Sequence, residues 1–374
     1  MTARSESIWV ALRRQLASGL TAVQAFWPRF TAELAADRPI YLVAALYVVV
    51  ANALAPTLPG HPSIAYLLYA TIWIRSGAAV ILIFVLYRTL PAILSERPRH
   101  PLILLVDRAG AYLTPRTLAG LALVALQVVL MGTFTSVKDM LPQLSGYVWD
   151  ARLADLDRAL FGGHDPWIFV TPLLSRLHLL APVEFLYATG WTLVVALMPA
   201  IVALAPALKP LRVRFFITYI LCWALLGSLL ALLGMSAGPA YFGEVTGDFA
   251  RFQPLVDLVA IDSGSTWSAY DIQRALWDVY EHGLATFGTG ISAFPSLHVA
   301  MATLWTIVGF RTSQRLGIAG LAFMTFVEIA SVALGWHYAI DGFASMALVP
   351  LIWAAVGWAL NRFASPQVET APEC

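Results

Sequence analysis

The stretch ISAFPSLHVAMATLW, Ile291–Trp305, places a proline, a serine and a histidine at the mouth of a long apolar run. Phe294-Pro295-Ser296 is typical of a helix start, with proline at the first helical position. The free backbone N–H groups of Ser296 and Leu297 at such a start, together with the positive end of the helix dipole, are predicted to bind an anion. Polar groups are costly in lipid, so this histidine needs an explanation, and taken alone it is interpreted as a snorkelling or hydrogen-bonded interface residue.

Composition identifies lipid as the main solvent of the chain. Of its 374 residues, 59% are hydrophobic and only 12% are charged, whereas a soluble domain carries about 25% charged residues. The net charge of +1 gives no support to nucleic-acid binding. The two cysteines, Cys222 and Cys374, provide neither a disulfide framework nor zinc-finger spacing. The sequence therefore predicts an all-α polytopic membrane protein.

About eight segments are apolar enough to cross a bilayer, which takes about 20 residues per helix. They are Ile40–Leu58, Ser63–Leu90, Thr117–Ser136, Pro182–Ala205, Phe215–Ser236, Ser296–Arg311, Leu316–Tyr338 and Asp341–Asn361. The connection after the third segment is too charged to span. Its WDARLADLDRALF part is amphipathic and is expected to lie along the interface.

Basic residues predict the orientation of these crossings. Most of the 23 lysines and arginines lie in the termini and in the connections after the second, fourth and sixth segments. The positive-inside rule therefore places both termini in the cytoplasm, and the long acidic connections face a periplasm or a lumen. The mixed, charged N-terminus is interpreted as a retained cytoplasmic segment and not as a signal peptide.

A second stretch, LGWHYAID or Leu334–Asp341, carries another histidine near a membrane face. His337 follows His298 by 39 residues. One crossing inward and one back, over a core of about 30 Å at about 1.5 Å per residue, takes about 40 residues. Both histidines are therefore predicted at the outer interface, on neighbouring helices joined by the tight FRTSQRL turn.

Asp341 follows His337 by four residues, so the two side chains share one face if the helix continues there. A carboxylate on one imidazole nitrogen fixes the tautomer and leaves the other lone pair outward, as in an oriented nucleophile. His298 has no such neighbour, which suits a separate acid–base role. With the anion-binding helix start, these residues favour phosphoryl transfer. The other histidines are interpreted as ordinary interface residues: His61, His164, His178 and His282.

FPSLHVA and GWHYAID resemble the second and third motifs of the type 2 phosphatidic acid phosphatase superfamily. They are closer still to its inositol phosphorylceramide synthase branch, which has a small residue and leucine before the first histidine and then His-Tyr-x-x-Asp. VKDMLP, YVWDARLADLDRALFG and SAGPAYF also resemble that branch. The similarity covers about Lys138 to Asp341.

The resemblance implies a six-helix catalytic membrane domain at residues 117–363. A cytoplasmic segment (1–39) and two additional crossings with their connection (40–116) precede it, and a cytoplasmic tail (364–374) follows. His337 would attack phosphorus to form a phosphohistidine, with Asp341 orienting it. His298 would protonate the leaving alcohol of a phospholipid donor and then deprotonate the acceptor, a lipid alcohol or water. No metal or other cofactor is required in that family.

The sequence departs from the phosphatase branch where a cation is expected. That branch has Ser-Arg beginning seven residues before the second histidine, but this chain has Ala330-Ser331. The Lys-x6-Arg-Pro first motif is also incomplete. Because a cation against the developing phosphoryl charge stabilises the transition state, we expect Lys138 to bind phosphate. Arg251 and Arg274 are the alternatives.

Four other charged residues, Asp150, Asp157, Arg75 and Glu328, are interpreted as structural and not as catalytic. Asp150 and Asp157 are interpreted as solvated charges on a helix face. Arg75 and Glu328 lie at similar predicted depths in the bilayer, where an unpaired charge costs at least about 2.5 kcal/mol. They are expected to pair, and a polar track for a headgroup or a proton is the rival interpretation.

Four functions compete on these residues. A lipid phosphotransferase comes first, followed by a phosphatase acting on phosphatidate, an isoprenyl pyrophosphate or a sphingoid phosphate. His298, His337 and Asp341 could instead bind zinc for hydrolysis, since three N/O ligands and an open position suffice. A transporter with charged residues along its path is the remotest alternative, because the sequence shows no inverted repeat.

Overall fold

The computed structural model describes residues 24–57, 64–71, 113–262, 268–282 and 290–363, with scattered residues between 74 and 110. These residues form helices and turns, and none of them is in a β-strand. Six described helices are long and apolar enough to cross a membrane by length and composition: Arg38–Thr57, Pro115–Ser145, Leu180–Leu204, Pro206–Leu233, Gln314–Ala333 and Ala339–Phe363. The predicted all-α polytopic membrane fold is confirmed.

The main helices are labelled in chain order. They are α1 Arg38–Leu54, α2 Pro115–Ser145, α3 Asp150–Leu160, α4 Trp167–Arg176, α5 Leu180–Leu204, α6 Pro206–Leu233, α7 Phe249–Val259, α8 Ala269–Glu281, α9 Leu297–Thr312, α10 Gln314–Ala333 and α11 Ala339–Phe363. Short helices at 24–36 and Phe242–Thr246 accompany them. Seven predicted crossings correspond to α1, α2, α5, α6 and α9 to α11. The second, Ser63–Leu90, lies largely outside the described residues.

Helix α9 is the centre of the bundle. It packs against α5, α6, α10 and α11. Buried residues follow one another along it without a polar stripe, including Val299, Ala300, Met301, Ala302 and Leu304. A helix enclosed on all sides is hydrophobic all round, which explains why the 16 residues of α9 show no amphipathic face.

Helices α9 and α10 form a tight antiparallel hairpin. Ser313 separates them and caps α10, because its side-chain oxygen accepts the N–H of Leu316 at 3.3 Å. A Cβ on Gly320 would lie 2.8 Å from the Cα of Thr306, so glycine permits the close approach of the two helices. The hairpin therefore brings the start of α9 and the end of α10 to one end of the bundle.

Short helices cover this end of the bundle. Apolar residues of α3, α4 and α7 pack with α9, α10 and the start of α11 in one buried cluster. Representative members are Leu153, Trp167, Phe252, Val299 and Val327. These short helices therefore enclose the region where the Ile291–Trp305 and Leu334–Asp341 stretches meet.

A buried ion-pair network joins α1 to α6 at the opposite end. The guanidinium of Arg212 lies 2.9 Å from Asp37 and 3.0 Å from Glu33. Lys209 pairs with the same Glu33 at 2.6 Å. Arg212 is only 1% exposed, so its charge depends on these carboxylates.

Arg212→Ala is expected to destabilise the folded protein by about 3–5 kcal/mol, because it leaves Asp37 buried without its cation. Thermal unfolding in detergent, followed by circular dichroism, measures the loss. Arg315→Ala is the matched control, since Arg315 is exposed at the same end of the bundle. An Arg212→Ala protein that unfolds at the wild-type temperature would contradict the structural role of the network.

Candidate active site

His298 is the second residue of α9, and Ser296 is the N-cap of that helix. The Ser296 hydroxyl oxygen accepts the N–H of Val299 at 3.4 Å. The expectation that Pro295 occupies the first helical position is therefore wrong, because the helix begins at Leu297. The physical reason is that a serine hydroxyl satisfies a free N–H of the first turn, whereas proline only fixes φ.

His337 lies in the turn between α10 and α11, and not within the longer helix expected from Leu316–Tyr338. Helix α10 ends at Ala333, and Gly335 adopts a φ of 76°, which favours glycine. The N–H groups of Trp336 and His337 donate to the carbonyl of Ser331 at 2.9 and 3.3 Å. These bonds hold the turn against the end of α10.

The two histidine rings meet at this end of the bundle. Nε2 of His337 lies 3.4 Å from Nδ1 of His298. Nδ1 of His337 lies 2.9 Å from the carbonyl oxygen of Ala293. Because a carbonyl only accepts hydrogen bonds, this contact assigns the proton to Nδ1 and leaves the lone pair on Nε2, facing His298.

Asp341 contacts His337 but is not its nearest partner. Oδ2 of Asp341 lies 3.5 Å from Nδ1 of His337 and accepts the N–H of Tyr338 at 3.0 Å. Burial lowers the pKa of His337 to about 3, and the charge of Lys138 acts in the same direction. The ring is therefore neutral at pH 7, with the Asp341 carboxyl group beside its Nδ1.

Two aromatic rings fix the orientation of His298. Tyr187 stacks on it with ring centroids 4.9 Å apart, and Trp191 lies at 4.2 Å. Both belong to α5, where Tyr187 lies in a π-helical stretch over Leu186–Gly190 and Trp191 follows it directly. Such stretches are frequent at functional sites. Sequence reasoning missed both rings, because an aromatic residue in an apolar helix gives no signal of this contact.

Lys138 lies close enough for its charge to act on both imidazoles. It is partly buried near the end of α2, on the side of the bundle where the histidines meet. Its Cγ would be 3.0 Å from a Cβ placed on Gly290, so it also borders the loop that leads to His298. The structure brings this sequence candidate into the site.

The two alternative cations are already paired. Arg251 lies 2.8 Å from Asp165 and 2.7 Å from Asp155. Arg274 lies 2.6 Å from Glu244. Since carboxylates hold both guanidinium groups, Lys138 is the strongest of the three candidates for binding a phosphate.

At the start of α9, one of the two N–H groups expected to bind an anion already has a protein acceptor. The N–H of Ser296 donates to the carbonyl of Asp341 at 3.1 Å, so Ser296 is corrected from a phosphate donor to a link between α9 and α11. Ser345 supports this link by donating its hydroxyl to the Ser296 carbonyl at 2.8 Å. The N–H of Leu297 is in the first turn, where a helix supplies no acceptor, and its binding of an anion stays a prediction.

Asp150 and Asp157 are 0% and 2% exposed, so their interpretation as solvated charges is wrong. Asp157 accepts two N–H groups of the first turn of α11, each at 2.8 Å, and Asp150 accepts three hydrogen bonds from neighbouring segments. Burial raises the pKa of each carboxyl to about 6. The amphipathic pattern of α3 shows that one side is polar, but it does not show that other backbone segments cover that side.

The expected pair between Arg75 and Glu328 is not present. Arg75 is exposed, whereas Glu328 is 8% exposed. The carboxylate of Glu328 has no hydrogen-bond partner in the described part of the chain. The Glu328 carboxylate packs against Gly342 of α11. A similar predicted depth in the membrane is therefore not sufficient to pair Arg75 with Glu328.

The family model of the PAP2 superfamily matches residues 151–355, more than half of the chain. The match includes both histidines and Asp341 and confirms the superfamily predicted from FPSLHVA and GWHYAID. No curated protein and no solved structure shows a significant match to the chain. Members of this superfamily are phosphatases or phosphotransferases. The chain therefore belongs to the PAP2 superfamily, as an integral membrane enzyme of the lipid phosphatase and phosphotransferase type.

Proposed function

We propose that the chain is a lipid phosphotransferase of the inositol phosphorylceramide synthase-like kind. It moves a phosphate-containing headgroup from a phospholipid to a lipid alcohol through a phosphohistidine on His337. The observation that carries this proposal is the 3.4 Å distance between Nε2 of His337 and Nδ1 of His298. One imidazole presents a lone pair, and the other is placed to handle the proton of the same reaction.

The reaction has two steps. Nε2 of His337 forms a bond to phosphorus while the bond from phosphorus to the leaving oxygen breaks, and His298, which enters this step as an imidazolium, donates a proton to that oxygen and becomes neutral. In the second step the acceptor hydroxyl gives its proton to His298, and its oxygen displaces His337 from phosphorus. Asp341 stabilises the positive charge on His337, and Lys138 with the N–H of Leu297 stabilises the phosphoryl oxygens.

Two features favour the synthase-like branch over the phosphatase branch. At the position of the phosphatase arginine, Ser331 is fully buried, and its carbonyl holds the His337 turn. The WDARLADLD motif of the synthase-like branch lies on α3, where Asp150 and Asp157 contact segments next to the site. A phosphatase acting on phosphatidate, an isoprenyl pyrophosphate or a sphingoid phosphate is the second candidate, since water can replace the lipid alcohol as acceptor in the second step.

We also propose that the site faces the periplasm or a lumen and that both termini are cytoplasmic. The distribution of basic residues supports this orientation by the positive-inside rule. Basic residues at the end of the bundle opposite the histidines include Arg38, Arg116, Lys209, Arg212, Arg214, Arg311, Arg315 and Arg362.

Product analysis tests transfer against hydrolysis. Purified protein in detergent receives a labelled phospholipid, with and without ceramide or diacylglycerol. Transfer predicts a new labelled lipid that forms only with an acceptor, whereas equal release of water-soluble label under both conditions would favour the phosphatase. Turnover without any gradient argues against a transporter, and its complete absence with every donor would contradict the proposed enzyme.

A chelator arm in the same assay tests the zinc alternative. In the part of the chain that the structure describes, no group of three His, Cys, Asp or Glu side chains is arranged to hold a metal ion. The ring nitrogens of His337 face the Ala293 carbonyl and His298, which does not suit a zinc ligand. We expect activity to persist in chelator and to be inhibited by vanadate, and chelator-sensitive activity restored by zinc would reverse this assignment.

A further inference from the structure

The carboxylate of Asp150 joins two backbone segments that are far apart in sequence. It accepts the N–H of Ala237 at 2.8 Å and the N–H of Gly238 at 2.9 Å. It also accepts the hydroxyl of Tyr338, the residue after His337, at 2.9 Å. Asp150 is fully buried, so a donor that lost this acceptor would be left unsatisfied away from water, which is costly.

The first of these segments reaches the nucleophile through Ser236. The carbonyl of Ser236 accepts the N–H of Ala293 at 2.8 Å, and its hydroxyl oxygen accepts the N–H of Phe294 at 3.2 Å. The carbonyl of Ala293 is the acceptor for Nδ1 of His337. Asp150 therefore lies at the base of the segment that positions this acceptor.

The second segment carries the histidine itself. Tyr338 is 2% exposed, and its hydroxyl fixes the turn that holds His337. Gly238 brings the two segments together: its φ is 100°, and a Cβ there would lie 2.7 Å from the carbonyl oxygen of Trp336. The hydrogen bond concerned joins Nδ1 of His337 to the carbonyl of Ala293. The Asp150 carboxylate binds the segment that carries His337 and also the segment that supports Ala293.

We propose that Asp150 is a positioning residue that holds the Ala293 carbonyl against Nδ1 of His337 and so keeps the His337 lone pair on Nε2. The other tautomer would carry its proton on Nε2 and could not attack phosphorus. This role rests on the proposed function of His337, and it adds a residue that acts from α3 without contacting the substrate. On this proposal, the polar helix α3 takes part in catalysis through Asp150.

Asp155 offers a matched control on the same helix. Its side chain is 72% exposed and pairs with Arg251 at 2.7 Å, on a side of α3 that does not contact either segment. Asp150→Asn and Asp155→Asn make the same chemical change. An amide at position 150 keeps one accepting oxygen but turns an N–H₂ group toward groups that also donate, so part of the hold on the two segments is lost.

The test combines kinetics with ¹⁵N NMR of the full chain labelled at histidine, with His337→Ala used to assign the His337 signals. Histidine ¹⁵N shifts distinguish a ring protonated at Nδ1 from one protonated at Nε2. In wild type we expect Nδ1 to be protonated. In Asp150→Asn we expect signals of the Nε2-protonated form and a fall in kcat of about 10- to 100-fold with little change in KM. Asp155→Asn should match wild type in both measurements.

Three results would overturn the proposal. They are an unchanged kcat in folded Asp150→Asn, an unchanged His337 tautomer despite a lower kcat, and an equal effect in Asp155→Asn. If Asp150→Asn does not fold, Tyr338→Phe decides, because it removes only the hydroxyl donor; the same tautomer change and a smaller fall in kcat are then expected, and wild-type values would overturn the proposal. The NMR result stands without any turnover, so failure of this role is distinguishable from failure of the proposed function.

Discussion

His337→Ala is expected to abolish turnover, with kcat reduced by about 10⁴-fold or more, as for loss of a nucleophile that forms a covalent intermediate. The ring supplies the atom that bonds to phosphorus, and alanine leaves no substitute at that position. His298 cannot take over, because Tyr187 and Trp191 hold its ring on the neighbouring helix. Labelled-phospholipid turnover in detergent measures the loss.

His282→Ala is the control, because it removes a different histidine from the same end of the bundle as His337. His282 is exposed, and its ring contacts the carbonyl of Asp278 in its own helix at 2.7 Å. The activity of the His282→Ala protein should equal that of wild type. Substantial turnover by a folded His337→Ala protein would remove His337 as the nucleophile.

His298→Gln is expected to lower kcat by about 10²- to 10⁴-fold for a phospholipid donor, the usual contribution of a general acid. Glutamine keeps a polar side chain against the two aromatic rings but cannot supply a proton to the leaving alkoxide. A nitrophenyl phosphate ester has a leaving oxygen that departs without protonation. The first step with that substrate, measured as the initial burst of nitrophenolate release, should therefore slow much less, although the second step still lacks its base.

The ratio of the two losses is the decisive quantity for His298. A general acid predicts a large loss with the alkyl leaving group and a small one with the nitrophenyl group. Equal losses for both substrates would mean that His298 serves structure or binding and does not transfer a proton to the leaving group.

Chain length between motifs was enough to predict that the two histidines meet. A separation of 39 residues accommodates one crossing in each direction, and the α9–α10 hairpin follows that arithmetic. The same logic placed Lys138 at the correct end of α2. These predictions succeed because helix rise and bilayer thickness are nearly fixed quantities.

The partners of the histidines could not be predicted in the same way. The acceptor for His337 is a backbone carbonyl of Ala293, and every residue type carries such a carbonyl. Tyr187 and Trp191 resemble ordinary apolar residues of a membrane helix. Their contact with His298 depends on how α5 packs against α9, which local sequence does not determine.

The surroundings of the buried carboxylates also could not be predicted from the sequence. Asp150 and Asp157 lie on an amphipathic helix of the kind that usually faces water, yet both are buried against backbone N–H groups. Glu328 and Arg75 lie at comparable predicted depth but do not pair. Depth gives a residue's position along its own helix, and amphipathicity gives its position around that helix. Neither shows which neighbouring segment covers the residue, and the contacts of Asp150, Asp157 and Glu328 depend on that segment.

Trapping the phosphoenzyme tests the role of His337 opposite His298 most directly. His298→Gln is incubated with a ³²P-labelled nitrophenyl phosphate ester, because the good leaving group permits the first step and the missing base slows the second. Peptide mapping should find an acid-labile, alkali-stable label on His337, and none in the His298→Gln/His337→Ala double variant. Label on another residue, or label that persists when His337 is absent, would contradict the histidine nucleophile.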